Sequence, residues 1–132
     1  MDVLLVEDDA LIREVLGDAL QDAGLETVGR SSAEAALELL GKHVPDVVVT
    51  DINLGGGMDG LALGRAARAR FPGLPVVYIS GRYAAVSGLD ALERFLTKPF
   101  PAHALVSMIA EVRAHAMGHS TKSISLTSLP RE

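Results

Sequence analysis

The chain contains no cysteine and no tryptophan, and only 4% of its 132 residues are aromatic. The missing thiols remove disulfides, thiolate metal sites and thiol nucleophiles together. With so few rings the core must be aliphatic, built mostly from Val, Leu, Ile and Ala, which the 48% hydrophobic content supplies. Long apolar runs are missing too: none approaches the ~20 residues of a membrane span. Asp2 and Glu7-Asp8-Asp9 interrupt the only early apolar run, so no signal peptide is read there. The expectation is a cytoplasmic protein without a membrane partner. Basic charge is short as well, with 12 Lys and Arg against 17 Asp and Glu and a net charge of −5. No basic stripe is available to neutralise phosphates, so nucleic acid is not an expected partner. The length suits one ordinary domain, which buries roughly two thirds of its unfolded surface.

Short β-branched runs alternate with longer helical patterns. Val3-Leu4-Leu5-Val6 is an apolar run that ends abruptly in acids. Ile12, Val15, Leu16, Ala19, Leu20 and Ala23 then recur at helical spacing, with Gly24 as the stop. A weak second strand fits residues 25–29, and Ser31 with Glu34 reads as a capping box opening the next helix. Val47-Val48-Val49 leads a third strand to Asp51, and a helix over about 59–71 closes at Pro72-Gly73. Residues 75–80 make a fourth strand and 94–97 a short fifth. Pro101 opens a last helix carrying Leu105, Met108, Ile109 and Val112. Five buried strands alternating with helices predict an α/β fold, a parallel sheet with helices on both faces. Ser87-Gly88 interrupts residues 83–92, so the helix there is expected to be short or irregular. One domain is expected over 1–117. Residues 118–132 read as a Ser- and Thr-rich tail, of a kind more often disordered than added to a sheet edge.

In an open α/β sheet, ligands bind at the carboxyl ends of the strands. The polar residues collect there: Glu7 and Asp8 after the first strand, Asp51 at the third, Ser80 at the fourth and Lys98 at the fifth. Three carboxylates brought together repel unless a cation or a proton intervenes. Oxygen ligands without His or Cys suit Mg²⁺ in an octahedral site that keeps some waters. A carboxylate can also be a nucleophile and form an aspartyl phosphate, given a metal, an ammonium and a hydroxyl to position and neutralise the phosphoryl group. Taken singly, Glu7 to Asp9 are an acidic helix start, Lys98 a surface lysine and Ser80 a turn residue. What sets this chain apart is that four strand ends agree at once.

With those residues in place, the chain resembles the receiver domain of two-component response regulators over about residues 1–117. The motifs are Val6-Glu7-Asp8-Asp9, Thr50-Asp51-Ile52-Asn53, Ile79-Ser80-Gly81 and Thr97-Lys98-Pro99-Phe100. The resemblance implies a flavodoxin-like (βα)5 doubly wound sheet of strand order 2-1-3-4-5. It also implies roles: Asp51 as phosphoacceptor, Asp8 and Asp51 as magnesium ligands, Asn53 giving its backbone carbonyl, and Glu7 acting through a water. Ser80 would be the switch hydroxyl, Lys98 the partner of the phosphoryl group, Phe95 the switch aromatic, and the Lys98–Pro99 bond cis. The implied donor is a histidine kinase or a phosphotransfer protein. The implied outcome is a phosphorelay signal passed to a downstream protein, from a domain that is not an enzyme beyond magnesium-dependent self-phosphorylation from small donors and self-dephosphorylation. No output domain is read in these 132 residues, and the expectation is a stand-alone receiver.

Two departures stand out. The family usually has a proline four residues after the acceptor; here Gly55-Gly56-Gly57 stands there. Tyr78-Ile79-Ser80-Gly81-Arg82-Tyr83 resembles the FATGUY motif of a subgroup of single-domain receivers paired with HWE-class and related kinases, although Arg82 stands where an apolar residue is expected. Other readings compete. Gly55, Gly57 and Gly60 form a GxGxxG, which read functionally is a dinucleotide site with Arg82 near a 2′-phosphate, and read plainly is a flexible loop. A degenerate receiver would bind partners without being phosphorylated. His115 and His119 are four apart, which fits a solvated helix end better than a metal pair. Asp59, Arg65, Arg68 and Arg70 read as a solvated helix face.

Overall fold

In the computed structural model, which describes residues 1–81 and 88–128 and the side chains of the last helix as far as Gly118, the elements follow the alternation read from the pattern. They are β1 (Val3–Val6), α1 (Ala10–Asp22), β2 (Thr27–Arg30), α2 (Ala33–Leu40), β3 (Val47–Asp51), α3 (Gly60–Arg70), β4 (Val76–Ser80), β5 (Glu93–Thr97) and α4 (Ala102–Ser128). The five strands are parallel in the order β2-β1-β3-β4-β5, the flavodoxin-like arrangement. β1 and β3 are buried along their whole length, which is why residues 3–6 and 47–49 read as unbroken apolar runs rather than as alternation.

Alternate strand residues enter two cores. Leu4, Val6, Val48, Val76 and Tyr78 meet α2 and α3 through Ala33, Ala36, Leu40, Leu63 and Ala67. Val3, Leu5, Val47, Val49, Val77 and Ile79 meet α1 and α4 through Leu20, Leu105, Ile109 and Val112. Each buried Val, Leu or Ile among them contributes about 1.5–3 kcal/mol by leaving water. The register sets Val6 beside Thr50, Asp51 beside Ile79 and Ser80 beside Thr97, so the carboxyl ends of four strands open onto one rim.

Helix starts are fixed by side-chain caps. Asp9 accepts from the N–H of Ile12 at 3.0 Å, Ser32 from Ala35 at 3.1 Å and Asp59 from Ala62 at 2.8 Å. The capping box expected from Ser31 and Glu34 does not form. The cap is Ser32, one residue on, and Glu34 turns away from its own helix to accept from the N–H of Met58 at 3.0 Å. The second strand lies at Thr27–Arg30, shifted from the expected 25–29, because Leu25 instead closes the end of α1 through its N–H on the Leu20 carbonyl at 3.0 Å. Among the described residues no helix lies between β4 and β5; of the expected short helix, residues 82–87, including Arg82 and Tyr83, fall outside the description. The boundary expected at 117 falls inside α4, which runs on through Ser128. No helix among the described residues is long and apolar enough to cross a membrane.

Candidate functional site at the carboxyl ends of the strands

β1 ends by sending two consecutive acids to different places. Glu7 points inward and is 3% exposed, while Asp8 lies on the exposed rim. Glu7 is held by its backbone and its side chain together. Its carbonyl accepts from the Arg13 guanidinium at 2.7 Å, and its carboxylate accepts from the N–H of Asp9 at 3.1 Å. Burial pushes the Glu7 carboxyl up to about 7; the Asp9 N–H opposes this, the Asp51 charge adds to it and the Lys98 ammonium opposes it.

Asp51 closes β3 and is 6% exposed. One carboxylate oxygen accepts from the N–H of Asn53 at 2.9 Å and the other from the Lys98 ammonium at 2.6 Å. The same ammonium stands 3.6 Å from Glu7. Burial would lower the Lys98 pKa, but the hydrogen bond and charge of Asp51, with the charge of Glu7, outweigh it and hold the amine above its usual value. Lys98 is itself placed by its backbone N–H on the Ser80 carbonyl at 2.8 Å, and its bond to Pro99 is cis. Ser80 is buried at the end of β4. Phe95 lies one strand over, paired in register with Tyr78 and half-buried against the α2–α3 core.

Glu7, Asp51, Ser80 and Lys98 therefore come together, with Asp8 and Asn53 at the margin and Phe95 farther off. Among the described residues no three Asp, Glu or His side chains gather closely enough to enclose a metal by themselves. Magnesium asks for less, since it commonly takes one or two carboxylates and keeps waters. Two nearly buried carboxylates beside one ammonium, with Asp8 on the rim, offer oxygen ligands without histidine, and that donor set fits a hard divalent cation.

The glycine motif belongs to the same rim. Gly55, Gly56 and Gly57 have φ of +56°, +43° and +62°. A Cβ on Gly60 would overlap the Asp51 carbonyl, so this glycine is required where α3 passes under β3. The carboxylates of Asp8 and Glu34 lie against Gly55 and Gly57, which is a poor cradle for a pyrophosphate. Two residues escaped the sequence reading. Glu34 looked like a capping acid because its spacing from Ser31 fits that pattern. Arg68 looked solvated, yet it donates to Asp90 at 2.6 Å and to the Pro72 carbonyl at 2.8 Å and stands 3.3 Å from Glu93. Asp59, from the same group, is the cap of α3.

Fold and site together define a doubly wound α/β domain that gathers paired buried carboxylates and a lysine at its strand ends. The comparisons give the family: residues 3–110 match the response regulator receiver domain, and the chain belongs to that family. It is 41% identical over 120 residues to the response regulator protein FleR of Pseudomonas aeruginosa, covering 88% of this chain and 24% of that protein. It is 34% identical to the DNA-binding transcriptional regulator NtrC of Escherichia coli, covering 86% of this chain and 25% of NtrC. The chain thus spans about a quarter of the length of these two relatives. Among solved structures, a response regulator receiver protein from Sinorhizobium medicae matches with a TM-score of 0.79 and 31% identity, covering 88% of this chain and 96% of that one. NtrX from Brucella abortus matches with a TM-score of 0.85 and 34% identity, covering 92% of this chain and 29% of that one.

Proposed function

We propose that this receiver accepts a phosphoryl group on Asp51 from a phosphohistidine of a histidine kinase or phosphotransfer protein. The observation that carries the reading is the Asp51 carboxylate, fixed at one oxygen by Asn53 and at the other by Lys98 beside buried Glu7. A carboxylate held in that way is oriented for in-line attack. An Asp51 oxygen bonds to phosphorus as the donor's P–N bond breaks, and the leaving imidazole takes up a proton. The Lys98 ammonium stays with the transferred group, and the buried Ser80 hydroxyl shifts toward it. Asp8, Asp51 and the Asn53 carbonyl would hold magnesium, with Glu7 acting through a water. When bound, the ion supplies neutralising charge at the phosphoryl oxygens.

The added charge biases a pre-existing equilibrium in which Ser80 and the Phe95 strand move together. The domain acts as a switch for protein–protein contact rather than as an enzyme, in a cytoplasmic phosphorelay. The same switch serves a separate downstream protein or another part of one polypeptide. Pairing with an HWE-class kinase follows from the resemblance of residues 78–83 to the FATGUY motif. At the start of α1, which follows directly on Glu7 and Asp8, Leu11, Ile12 and Val15 are 69%, 37% and 57% exposed. That apolar patch is the proposed docking face. Incubation with MgCl₂ and acetyl phosphate, followed by intact mass measurement, tests the reading. One phosphoryl adduct, absent from Asp51→Asn, is expected. No adduct under conditions that label a control receiver leaves the unphosphorylated binding module as the better account.

A further inference from the structure

Three consecutive glycines with left-handed φ make the connection from β3 to α3 soft, because each has much conformational freedom to lose on ordering. A side chain from a different element reaches in to hold it. Glu34, in the first turn of α2, accepts from the N–H of Met58 at 3.0 Å, across 24 residues of sequence. Gly57 makes the approach possible: a Cβ there would stand 2.9 Å from a Glu34 carboxylate oxygen. Two residues earlier, a Cβ on Gly55 would stand 3.1 Å from a carboxylate oxygen of Asp8. The triglycine run therefore spans from the Glu34 carboxylate to the Asp8 carboxylate. It begins two residues after Asn53, whose N–H holds Asp51.

Building on the reading of Asp8, Asp51 and Asn53 as magnesium ligands, we propose that Glu34 is a positioning residue, a latch from α2 that holds the 55–58 loop and so keeps Asn53 and Asp8 in place for the metal. Where a proline would stiffen this connection from within, here a carboxylate holds it from outside. The hydrogen bond, not the charge, does the holding. A glutamine, which keeps a carbonyl acceptor, should therefore serve in its place.

The test measures magnesium binding to the unphosphorylated protein by calorimetric titration, and amide hydrogen exchange at Met58 without metal, for wild type, Glu34→Gln, Glu34→Ala and Gly57→Ala. Glu34→Ala is expected to weaken magnesium about three- to tenfold, below the 10–100-fold typical of groups that bond metal ligands directly. It should also speed exchange at Met58. Gly57→Ala, with a Cβ in the way and a strained φ of +62°, should do the same. Glu34→Gln should stay within about twofold of wild type in both readouts, since it retains the acceptor. Equal losses in Glu34→Gln and Glu34→Ala would overturn the latch in favour of a charge effect at the helix start. Unchanged binding and exchange in Glu34→Ala would overturn it outright. Failure of the underlying reading looks different: wild type would bind no magnesium and take no label at Asp51, whatever Met58 exchange showed.

Discussion

The buried side chains of the face under α1 and α4 are all aliphatic, with a partly buried Phe100 packed against them, whereas the face under α2 and α3 buries a tyrosine and borders a ring of charges. On the first face Val3, Leu5, Val49, Val77, Leu20, Leu105 and Ile109 fill the space by volume. On the second, Ala33, Ala36, Gly64 and Ala67 bring the helices close, and Tyr78 occupies what they leave. A Cβ on Gly64 would overlap the Tyr78 hydroxyl, which donates to Glu93 at 3.1 Å. Glu93 also accepts from the N–H of Asp90 at 3.1 Å and stands 3.3 Å from Arg68. Burial holds the Tyr78 phenol well above its usual pKa, reinforced by Glu93. One face is therefore sensitive to loss of volume, the other to added volume and to lost hydrogen bonds.

The largest effect should come from emptying the aliphatic face. Ile109→Ala, at a fully buried position, is expected to cost about 4 kcal/mol in urea unfolding. Next, Gly64→Ala should cost about 2–3 kcal/mol by overpacking. Combining it with Tyr78→Phe should recover about 1 kcal/mol, because the deepest overlap, at the hydroxyl, is gone while those with the ring carbons remain. Strict additivity in that double mutant would break the comparison, since the hydroxyl would then not set the approach of α3. Tyr78→Phe alone should cost about 1 kcal/mol, the net worth of one hydrogen bond.

The smallest effect concerns pH. Burial would raise the Asp90 pKa, but hydrogen bonds from Arg68 and the Leu92 N–H outweigh it and hold the carboxyl below its usual 3.8. A depressed carboxyl stabilises the fold above the unfolded-state pKa and loses that contribution as pH falls through the folded-state value. Asp90 is half exposed, so the contribution is about 0.5 kcal/mol or less. Wild type should exceed Asp90→Asn by that amount at pH 7 and lose the advantage on acidification below 3.8.

The same contrast explains what could be read from the sequence. Buried parallel strands and the α4 stripe are periodic, so Val47 to Val49 and Leu105, Ile109 and Val112 disclosed their elements and their face. The meeting of Glu7, Asp51, Ser80 and Lys98 was legible because they fall at strand ends, where the α/β topology gathers them. Glu34 and Arg68 were missed because their partners, Met58 and Asp90, are 24 and 22 residues away and follow no period. A carboxylate near a serine fits a cap equally well, and only folding shows which donor it finds. The shift of the cap from Ser31 to Ser32 has the same origin, two adjacent hydroxyls being equivalent on the page.

The central claim is that Asp51 itself carries the phosphoryl group. Borohydride reduction of protein treated with acetyl phosphate and magnesium, followed by peptide sequencing, reads the site of phosphorylation directly, because an aspartyl phosphate is reduced to homoserine. The account predicts homoserine at position 51 and at no other acid, with Asp8 and Glu7 unchanged. Homoserine at another acid, or a phosphoryl adduct that leaves position 51 as aspartate after reduction, would contradict it.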